Sequence, residues 1–294
     1  MFGGRWVYLG RFLWHQRRLP RLREPVRITD KLAARILSGE SAGWQREFSD
    51  KLRCREIVAE ICPELRQKRV MAIIESASDF TLEALPQTFV LKPNHASGMN
   101  AFVHDKRWAD ERLLRDLVNW WLELDYYEIS YEPCYRGIVP KVFAEEMVLN
   151  ARGYPPSEIQ LFCVHGRVAF IECLMVREEI DGPLCDREWN RLPVWYPLEE
   201  CEPDAPRPDA LDEAIAIAEK IAAGTDFLRV DLIHLEDGTL VFNETACTPW
   251  GGLFRLKPRL GDELLGKMWE PYSVVPAPMD ARVRIESQAV FVTR

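Results

Sequence analysis

The sequence lacks long apolar runs, an excess of positive charge and paired metal-binding cysteines. No run approaches the ~20 apolar residues that a membrane-spanning helix needs, so no such helix is expected. The net charge of −8 disfavours a nucleic-acid partner, because phosphate backbones attract basic surfaces. The eight cysteines include no Cys-x-x-Cys pair and no zinc-site spacing with histidine. Free thiols in the reducing cytoplasm are the simplest explanation for them.

The segments that are present predict a mixed fold. At 294 residues and 47% hydrophobic, the chain can build a core of one to three domains. Strand-like and helical segments are interspersed with hairpins instead of alternating strictly, which predicts an α+β architecture. We expect helices over 49–61, 109–125 and 211–224, and strands over 88–91, 139–148 and 158–176, the last with a turn at His165-Gly166.

The N-terminal segment carries six arginines and no acidic residue before Glu24. Arg11 interrupts its apolar stretch and no small-residue cleavage site follows, so a secretory signal is not expected. Two interpretations remain open. Residues 1–23 either dock as a helix on the protein body or touch an anionic membrane, in which case the inserted aromatic residues would be Trp6, Tyr8, Phe12 and Trp14.

Residues 227–252 read FLRVDLIHLEDGTLVFNETACTPWGG and contain the strongest local signal in the chain. Asp237-Gly238 between two alternating apolar runs predicts a β-hairpin with a two-residue type I′ loop. Counting outward from that loop places Leu235 opposite Leu240 and Asp231 directly opposite Glu244. The two carboxylates would then lie side by side on one face, with their Cβ atoms ~5 Å apart.

Like charges that face each other destabilise a sheet, so this pair requires compensation. Three explanations are open. The carboxylates can share a proton, which raises one pKa, or Arg229 can act as their counter-ion. The third is a divalent cation such as Mg²⁺, which takes one or two protein carboxylates together with phosphate and water.

Two lysines upstream occupy positions that suit a nucleotide. In FVLKPNHASGMN (89–100), Lys92 ends a strand and is followed by a loop of small and polar residues. A lysine beside backbone amides suits the β- and γ-phosphates of a nucleotide. Lys51 lies in the first turn of the helix that begins FSDK. Taken singly, each is better explained as a solvated surface lysine.

Five segments, in this order along the chain, resemble motifs of the ATP-grasp superfamily. They are FSDKLRCREIV, FVLKPNHASGMN, VFAEEMV, LRVDL and FNETACTPWGG. Together with FCVHGRVAFI and REWNRLP, they resemble more narrowly the TupA-like proteins of the teichuronopeptide-biosynthesis type from bacterial envelope polysaccharide loci. The resemblance implies an ATP-grasp fold, in which two α+β subdomains clasp Mg·ATP behind a reduced N-terminal region. The implied segments are 1–47 (basic, aromatic N-terminal region), 48–155 (central subdomain), 156–270 (C-terminal subdomain with the metal hairpin) and 271–294 (tail).

The resemblance also implies a role for each matching residue. Lys51 and Lys92 would contact the ATP phosphates, beneath a loop over 94–100. The adenine would meet the backbone of residues 145–148, and the ribose hydroxyls would bind Glu158. The full set of expected nucleotide contacts is Lys51, Lys92, His95, Ser97, Gly98, Glu145, Glu146, Met147, Val148 and Glu158. For His95, a turn-stabilising role is an equally good explanation.

Asp231 and Glu244 would hold Mg²⁺, and Lys92 and Arg229 would be catalytic, Arg229 at the transferring phosphate or acyl group. The family places an asparagine at the metal where this chain has Ala246, which leaves the number of metal ions open. Thr248, Trp250, Gly251 and Gly252 are expected to line the acceptor pocket.

The activity that the resemblance implies is an ATP-dependent ligase in envelope polysaccharide or peptide-conjugate biosynthesis. It would join a small-molecule carboxylate to an amine (or thiol) or glycan acceptor through an acylphosphate. Two alternatives are a kinase that phosphorylates a sugar hydroxyl and a nucleotide-binding scaffold without turnover. The expected location is the cytoplasm, with association at a membrane through residues 1–23 as the open alternative.

Overall fold

The structure, a computed structural model, describes residues 3–175, 180–196 and 206–279. Its α-helices are α1 (Gly3–Gln16), α2 (Ile28–Ser38), α3 (Gly43–Ser49), α4 (Lys51–Ile61), α5 (Glu111–Glu123), α6 (Tyr126–Ser130), α7 (Leu211–Ile221) and α8 (Arg259–Met268). Its strands are β1 (Arg66–Gln67), β2 (Val70–Ile74), β3 (Phe89–Pro93), β4 (Ala101–Val103), β5 (Val142–Glu145), β6 (Ser157–Val164), β7 (Arg167–Met175), β8 (Ile180–Asp186), β9 (Phe227–His234) and β10 (Leu240–Ala246). The strands form a four-stranded and a six-stranded sheet, and the predicted α+β class is confirmed.

The six-stranded sheet has the order β1-β10-β9-β6-β7-β8, with all its pairs antiparallel except β1 with β10. Strand β9 shows how the sequence divides its two faces. Leu228, Val230 and Leu232 pack into the main core with α4 and α7. Because side chains alternate along a strand, Arg229 and Asp231 point to the opposite face. That face is the one that carries the candidate site.

The four-stranded sheet has the order β2-β5-β3-β4 and is antiparallel throughout. Helix α5 covers it by burying Val118 and Trp121 against Phe89 and Leu91 of β3. The helical spacing of apolar residues over 109–125 therefore found this helix correctly, and the strand that ends near Lys92 is likewise confirmed. The strand predicted over 139–148 is shorter in the structure, since only 142–145 pair with neighbours.

Helix α1 docks on the protein body. Tyr8 and Phe12, one helical turn apart, are buried with Ile36 and Leu253. These two aromatic residues are therefore not available to a membrane, in contrast to Trp6 and Trp14, which are 70% and 64% exposed. Across the described segments, no helix is long and apolar enough to cross a bilayer.

Helices α2 and α8 join the two ends of the described chain. The buried Lys31 ammonium donates to the Gly266 carbonyl at 2.7 Å, and the Thr29 amide donates to Asp262 at 3.1 Å. The helices approach so closely that a Cβ on Gly266 would lie 2.0 Å from the Val26 carbonyl oxygen, so only glycine fits there. This anchors the N-terminal region to the C-terminal part of the fold.

The strands of the four-stranded sheet lie between residues 70 and 145, and those of the six-stranded sheet between 157 and 246 apart from β1. This distribution supports the division at 155/156, which we retain as a proposal. The tail segment that begins at residue 271 is described only to residue 279.

Candidate active site

The hairpin pairs Asp231 with Glu244 as predicted, but its loop length and strand register differ from the prediction. The Leu235 amide donates to the Thr239 carbonyl and the Gly238 amide to the Leu235 carbonyl, both at 3.0 Å. The loop therefore contains three residues, 236–238, and ends at Gly238 with φ +83°. The predicted two-residue loop is wrong, and so is the pairing of Leu235 with Leu240, because Leu240 lies opposite His234.

A β-bulge then restores the predicted pair. The register shifts between Phe242 and Glu244, so that Glu244 faces Asp231 and Asn243 is left as the extra residue. The bulge turns the Asn243 side chain towards the candidate site, where its amide nitrogen donates to Glu158 at 2.8 Å and its amide oxygen accepts from Lys68 at 2.6 Å. Regular alternation would have sent Asn243 to the other face.

The two carboxylates have different environments. Asp231 is fully buried and is held by Arg229 through two hydrogen bonds, Nε to Oδ1 at 2.7 Å and Nη2 to Oδ2 at 2.6 Å. Glu244 is half-buried and lies 3.4 Å from Lys51 Nζ and 3.7 Å from Arg229 Nη2. Arg229 and Lys51 are thus the counter-ions of the pair in the structure as it stands.

These surroundings separate the two acids electrostatically. Burial raises the pKa of Asp231 above its ordinary value, although Arg229 opposes the shift. Burial also acts to raise the pKa of Glu244, but Lys51 and Arg229 outweigh it and hold that pKa at about 2. Glu244 is therefore a carboxylate at neutral pH and can accept cations.

Glu145, at the end of β5, gathers three cations around one buried carboxylate. Its Oε1 lies 2.6 Å from Lys92 Nζ and 2.9 Å from Lys68 Nζ, and Arg55 from α4 pairs with Oε2. Burial alone would raise the pKa of Glu145, but Lys68, Lys92 and Arg55 hold it at about 2. For Lys68, burial and the neighbouring Lys92 lower the pKa to about 8.

Lys68 and Arg55 were not predicted. Arg55 follows Lys51 by four residues on a helix, so the shared face was a usable signal. Lys68 lies between two short strands, and no local pattern distinguishes it. Glu145 was expected to contribute its backbone, whereas the structure also gives its side chain a role in holding the lysines.

Residues after β5 provide a wall of the site. The Glu146 amide donates to the Arg69 carbonyl at 2.9 Å, and Met147 and Val148 follow along the cavity. Glu158 lies at the start of β6, where burial and the nearby Glu244 raise its pKa. The structure thus brings the expected adenine- and ribose-contact residues to the same cavity as Lys51, Lys92 and Glu244.

The 94–100 loop places Ser97 and Gly98 at the cavity and His95 away from it. Gly98 has φ +71°, a left-handed conformation that favours glycine. The His95 ring is 2% exposed; Nδ1 lies 3.2 Å from Asn94 Oδ1 and Nε2 lies 3.0 Å from the Leu124 carbonyl oxygen. Both ring nitrogens face protein groups, which favours the turn-stabilising explanation for His95 over a phosphate contact.

These residues surround a cavity of about 900 Å³. The four-stranded sheet contributes Lys92 and Glu145, and the six-stranded sheet contributes Arg229 and Glu244. Asp231 lies directly beneath Arg229 and does not itself reach the cavity surface. Of the residues expected at an acceptor pocket, Thr248, Trp250 and Gly251 line the cavity, and Gly252 packs against Leu32 instead.

Within the described ranges, no group of three or more His, Cys, Asp or Glu side chains is placed to hold a metal ion. The expected metal donors, Asp231 and Glu244, are two carboxylates, of which Glu244 lines the cavity. Such a set does not suit an all-protein metal cage, but it suits Mg²⁺ bound jointly with phosphate oxygens.

A cavity with Lys92 from one sheet and Glu244 from the other agrees with the expected ATP-grasp fold. The family model described as "TupA-like ATPgrasp" matches residues 30–270 of the 294. The chain belongs to this family, and the resemblance of its motifs is confirmed.

The chain is similar to several solved structures. A D-alanine–D-alanine ligase from Bacillus anthracis complexed with ATP is 16% identical over 82% of this chain and 67% of its own, with a TM-score of 0.44. An L-amino acid ligase from Bacillus licheniformis is 15% identical over 76% of this chain and 49% of its own, with a TM-score of 0.43. An N5-carboxyaminoimidazole synthase from Aspergillus clavatus, in complex with ADP and 5-aminoimidazole ribonucleotide, is 13% identical over 74% of this chain and 50% of its own, with a TM-score of 0.41.

The chain thus spans between about half and two thirds of the length of these structures. No curated protein sequence matches it significantly.

Proposed function

We propose that the protein is an ADP-forming ligase that joins a carboxylate to an amine (or thiol) through an acylphosphate. The observation that carries this proposal is the convergence of Lys51, Lys68 and Lys92 with Glu244 around one cavity, with the buried Asp231 facing Glu244 in the hairpin. Positive side chains that neutralise phosphates, facing carboxylates that bind a divalent cation, are the parts that phosphoryl transfer from Mg·ATP needs. The family supports an acceptor from envelope polysaccharide or peptide-conjugate biosynthesis.

The residues present fit ATP and Mg²⁺. The lysines are suited to the phosphates, residues 146–148 to the adenine, and Glu158 to the ribose hydroxyls. Among the described side chains, Gln160 Oε1 at the cavity wall is buried without a hydrogen-bond partner, as expected for a group that takes a ligand. Glu244 lines the cavity and can bind Mg²⁺ directly, and Asp231, which faces it in the hairpin, keeps lone pairs beyond the one that each of its oxygens uses on Arg229. When bound, the metal neutralises charge on the transferring phosphoryl group.

Arg229 is the residue best placed to stabilise an oxyanion. Asp231 orients the guanidinium on one side. On the other side lies the Trp250 ring, whose centroid is 4.8 Å from the guanidinium carbon of Arg229. A fixed cation beside developing negative charge needs no reorganisation during the reaction and so lowers the barrier. Lys92, which is held by Glu145, is the second proposed catalytic group.

The test is release of phosphate and ADP from Mg·ATP in the presence of a panel of amino acids and uronic acids, with products identified by mass spectrometry. We expect phosphate release that depends on a carboxylate substrate and is accompanied by an amide or thioester. A stable phosphorylated sugar would identify a kinase instead. ATP binding by calorimetry without turnover on any member of the panel would identify a non-catalytic scaffold.

We further propose a cytoplasmic protein that contacts an anionic membrane through the outer face of α1. The seven described cysteines are all buried, as a reducing compartment allows. The outer face of α1 exposes four large apolar residues near several arginines, a composition suited to an anionic interface; these residues are Trp6, Val7, Leu13 and Trp14.

We expect the protein to sediment with vesicles of phosphatidylglycerol and not with vesicles of phosphatidylcholine alone. Replacing both Trp6 and Trp14 by alanine should weaken this partition by roughly a hundredfold, because each inserted side chain contributes about 1.5 kcal/mol. Trp108→Ala, at a residue 86% exposed elsewhere on the surface, is the matched control and should have no effect. Equal sedimentation of the double variant and the control would refute the membrane contact.

A further inference from the structure

The cavity continues beyond the residues assigned to ATP. We name this part the far end of the cavity. It is lined by residues from α1, from the segment around α6 and from the turn after β10; the main ones are Tyr8, Arg11, Tyr126, Glu132, Tyr135 and Trp250. It therefore combines aromatic rings with one cation and one acid.

Glu132 is an acid in an unfavourable place. Its side chain is 7% exposed and accepts a hydrogen bond from the Thr248 hydroxyl. Burial raises its pKa to about 7, although Thr248 and Arg11 oppose the shift. A buried carboxylate is costly unless it is paired with a positive charge, and the hydroxyls of Thr248 and Ser130 only partly offset that cost. Such a group at a cavity wall favours a ligand that carries a positive charge.

Arg11 supplies the opposite charge from helix α1. One of its guanidinium nitrogens donates to the Ile129 carbonyl at 3.3 Å, which leaves most of its five N–H groups for other partners. The charge of Arg11 acts to lower the pKa of Glu132, yet these two described side chains form no ion pair within 4.0 Å. The far end thus presents separated charges of opposite sign, which complement a ligand that has both.

The turn after β10 connects this end to the reacting groups. Thr248 contacts Glu132, Trp250 lies against Arg229, and the Gly251 carbonyl accepts from the Tyr8 hydroxyl at 2.8 Å. Thr248 and Trp250 are two residues apart, so their Cα atoms are separated by at most about 7 Å. A group bound at Glu132 is therefore held next to the centre on which Arg229 acts.

We propose that the far end binds the acceptor of the ligase reaction, and that this acceptor is a primary amine that also carries an acidic group. Glu132 binds the ammonium, Arg11 binds the acidic group, and the rings of Tyr126 and Tyr135 contact the carbon skeleton between them. This assignment rests on the proposed function, because it names the nucleophile of that reaction.

Glu132 also has a part in the chemistry. The acceptor ammonium transfers one proton to the Glu132 carboxylate, which leaves a neutral amine with a free electron pair. The amine nitrogen attacks the carbonyl carbon of the acylphosphate, a C–N bond forms, and the C–O bond to phosphate breaks with its electron pair on the leaving oxygen. A second proton of the nitrogen passes to the released phosphate, so the products are the amide and hydrogen phosphate. A base whose pKa lies near the working pH is suited to the first transfer.

The first test is calorimetric titration of the protein with each proteinogenic amino acid and its D-enantiomer. For those that bind, the matching amino-acid amides and hydroxy acids are titrated as well. We expect both analogues to bind about tenfold or more weakly, because each loses one charge-assisted hydrogen bond. Glu132→Gln should remove the preference for the amine, and Arg11→Gln the preference for the acid.

Glu128→Gln and Arg5→Gln, at exposed positions on the same elements, are the controls and should bind as wild type does. Absence of binding for every amino acid, or equal binding of both analogues to the wild type, overturns the proposal. Because these titrations need no turnover, their outcome is separate from that of the ligase assay.

The second test separates the two halves of the reaction. Hydroxylamine is an uncharged nucleophile near neutral pH and traps an acylphosphate as a hydroxamate without needing a base. Glu132→Gln should keep hydroxamate formation from carboxylate and Mg·ATP while amide formation with an amino acid falls by about a hundredfold or more. Loss of hydroxamate in the wild type contradicts the proposed function, whereas an unchanged rate of amide formation in Glu132→Gln contradicts the role of Glu132.

Discussion

Replacing Asp231 by asparagine, or Glu244 by glutamine, should reduce carboxylate-dependent phosphate release by roughly a thousandfold or more. Either change removes one of the two carboxylates that face each other across β9 and β10 and that are proposed to hold Mg²⁺. Asparagine and glutamine keep the size of the side chain but lose the negative charge that a divalent cation needs. Glu244→Gln is the cleaner variant, because Glu244 is half-buried, whereas Asp231→Asn also leaves the buried Arg229 without its partner.

The loss of activity is measured as phosphate release with Mg·ATP. The loss of metal binding is measured by titrating ATP with and without Mg²⁺. We expect the variants to bind ATP about equally with and without the metal, whereas the wild type binds more tightly with it. Glu236→Gln, at an exposed acid in the loop of the same hairpin, is the matched control. Turnover that survives both substitutions at the wild-type rate would show that the pair does not bind the catalytic metal.

Replacing Glu145 by glutamine should lower the free energy of unfolding by about 3–5 kcal/mol. The cause is that Lys68, Lys92 and Arg55 all pair with this buried carboxylate, and the substitution leaves three cations together without compensation. Chemical denaturation at neutral pH measures the change. Glu146→Gln is the control next in sequence, because its ion pair with Arg66 is partly exposed and contributes at most about 1 kcal/mol.

The effect of Glu145 should depend on pH in a defined direction. Its pKa of about 2 in the folded protein is below the ordinary value of 4.5, so its ionised form favours folding at every pH above 4.5. The difference in unfolding free energy between wild type and Glu145→Gln should narrow as the pH falls from 4.5 towards 2. A difference that stays constant over that window would mean that the charge of Glu145 is not what stabilises the cluster.

An anionic ligand should compensate for part of the loss. Tripolyphosphate brings negative charge to the same lysines, so it should raise the melting temperature of Glu145→Gln more than that of the wild type. Equal shifts would contradict the assignment of Lys68 and Lys92 to phosphate.

The hairpin shows how far sequence reasoning reaches and where it stops. The Asp237-Gly238 signal located the turn, and the pairing of Asp231 with Glu244 is confirmed. The loop is nevertheless one residue longer than predicted, and the bulge at Asn243 returns the register to the predicted pair. Loop length and bulges depend on how the strands twist and pack in the whole sheet, which local composition does not encode.

The other residues of the site also divide into those that local motifs predict and those that only tertiary packing places. Lys51, Lys92 and Glu244 lie within motifs whose order is visible in the sequence, and the structure brings them to one cavity. Lys68 and Glu132 lie outside any periodic segment and reach the cavity only through tertiary packing. His95 lies within a motif, but its side chain turns to the Leu124 carbonyl because burial requires partners for both ring nitrogens.

Helix α1 joins two surfaces in one rigid element. Tyr8 and Arg11 on its inner face line the far end of the cavity, while Trp6 and Trp14 on its outer face are exposed. Any surface that binds the outer face and favours the docked helix must also favour binding of a ligand at Arg11. By thermodynamic linkage that ligand strengthens attachment to the surface by the same factor. Under the proposed membrane contact and the proposed acceptor site, membrane attachment and acceptor affinity would then be coupled through α1.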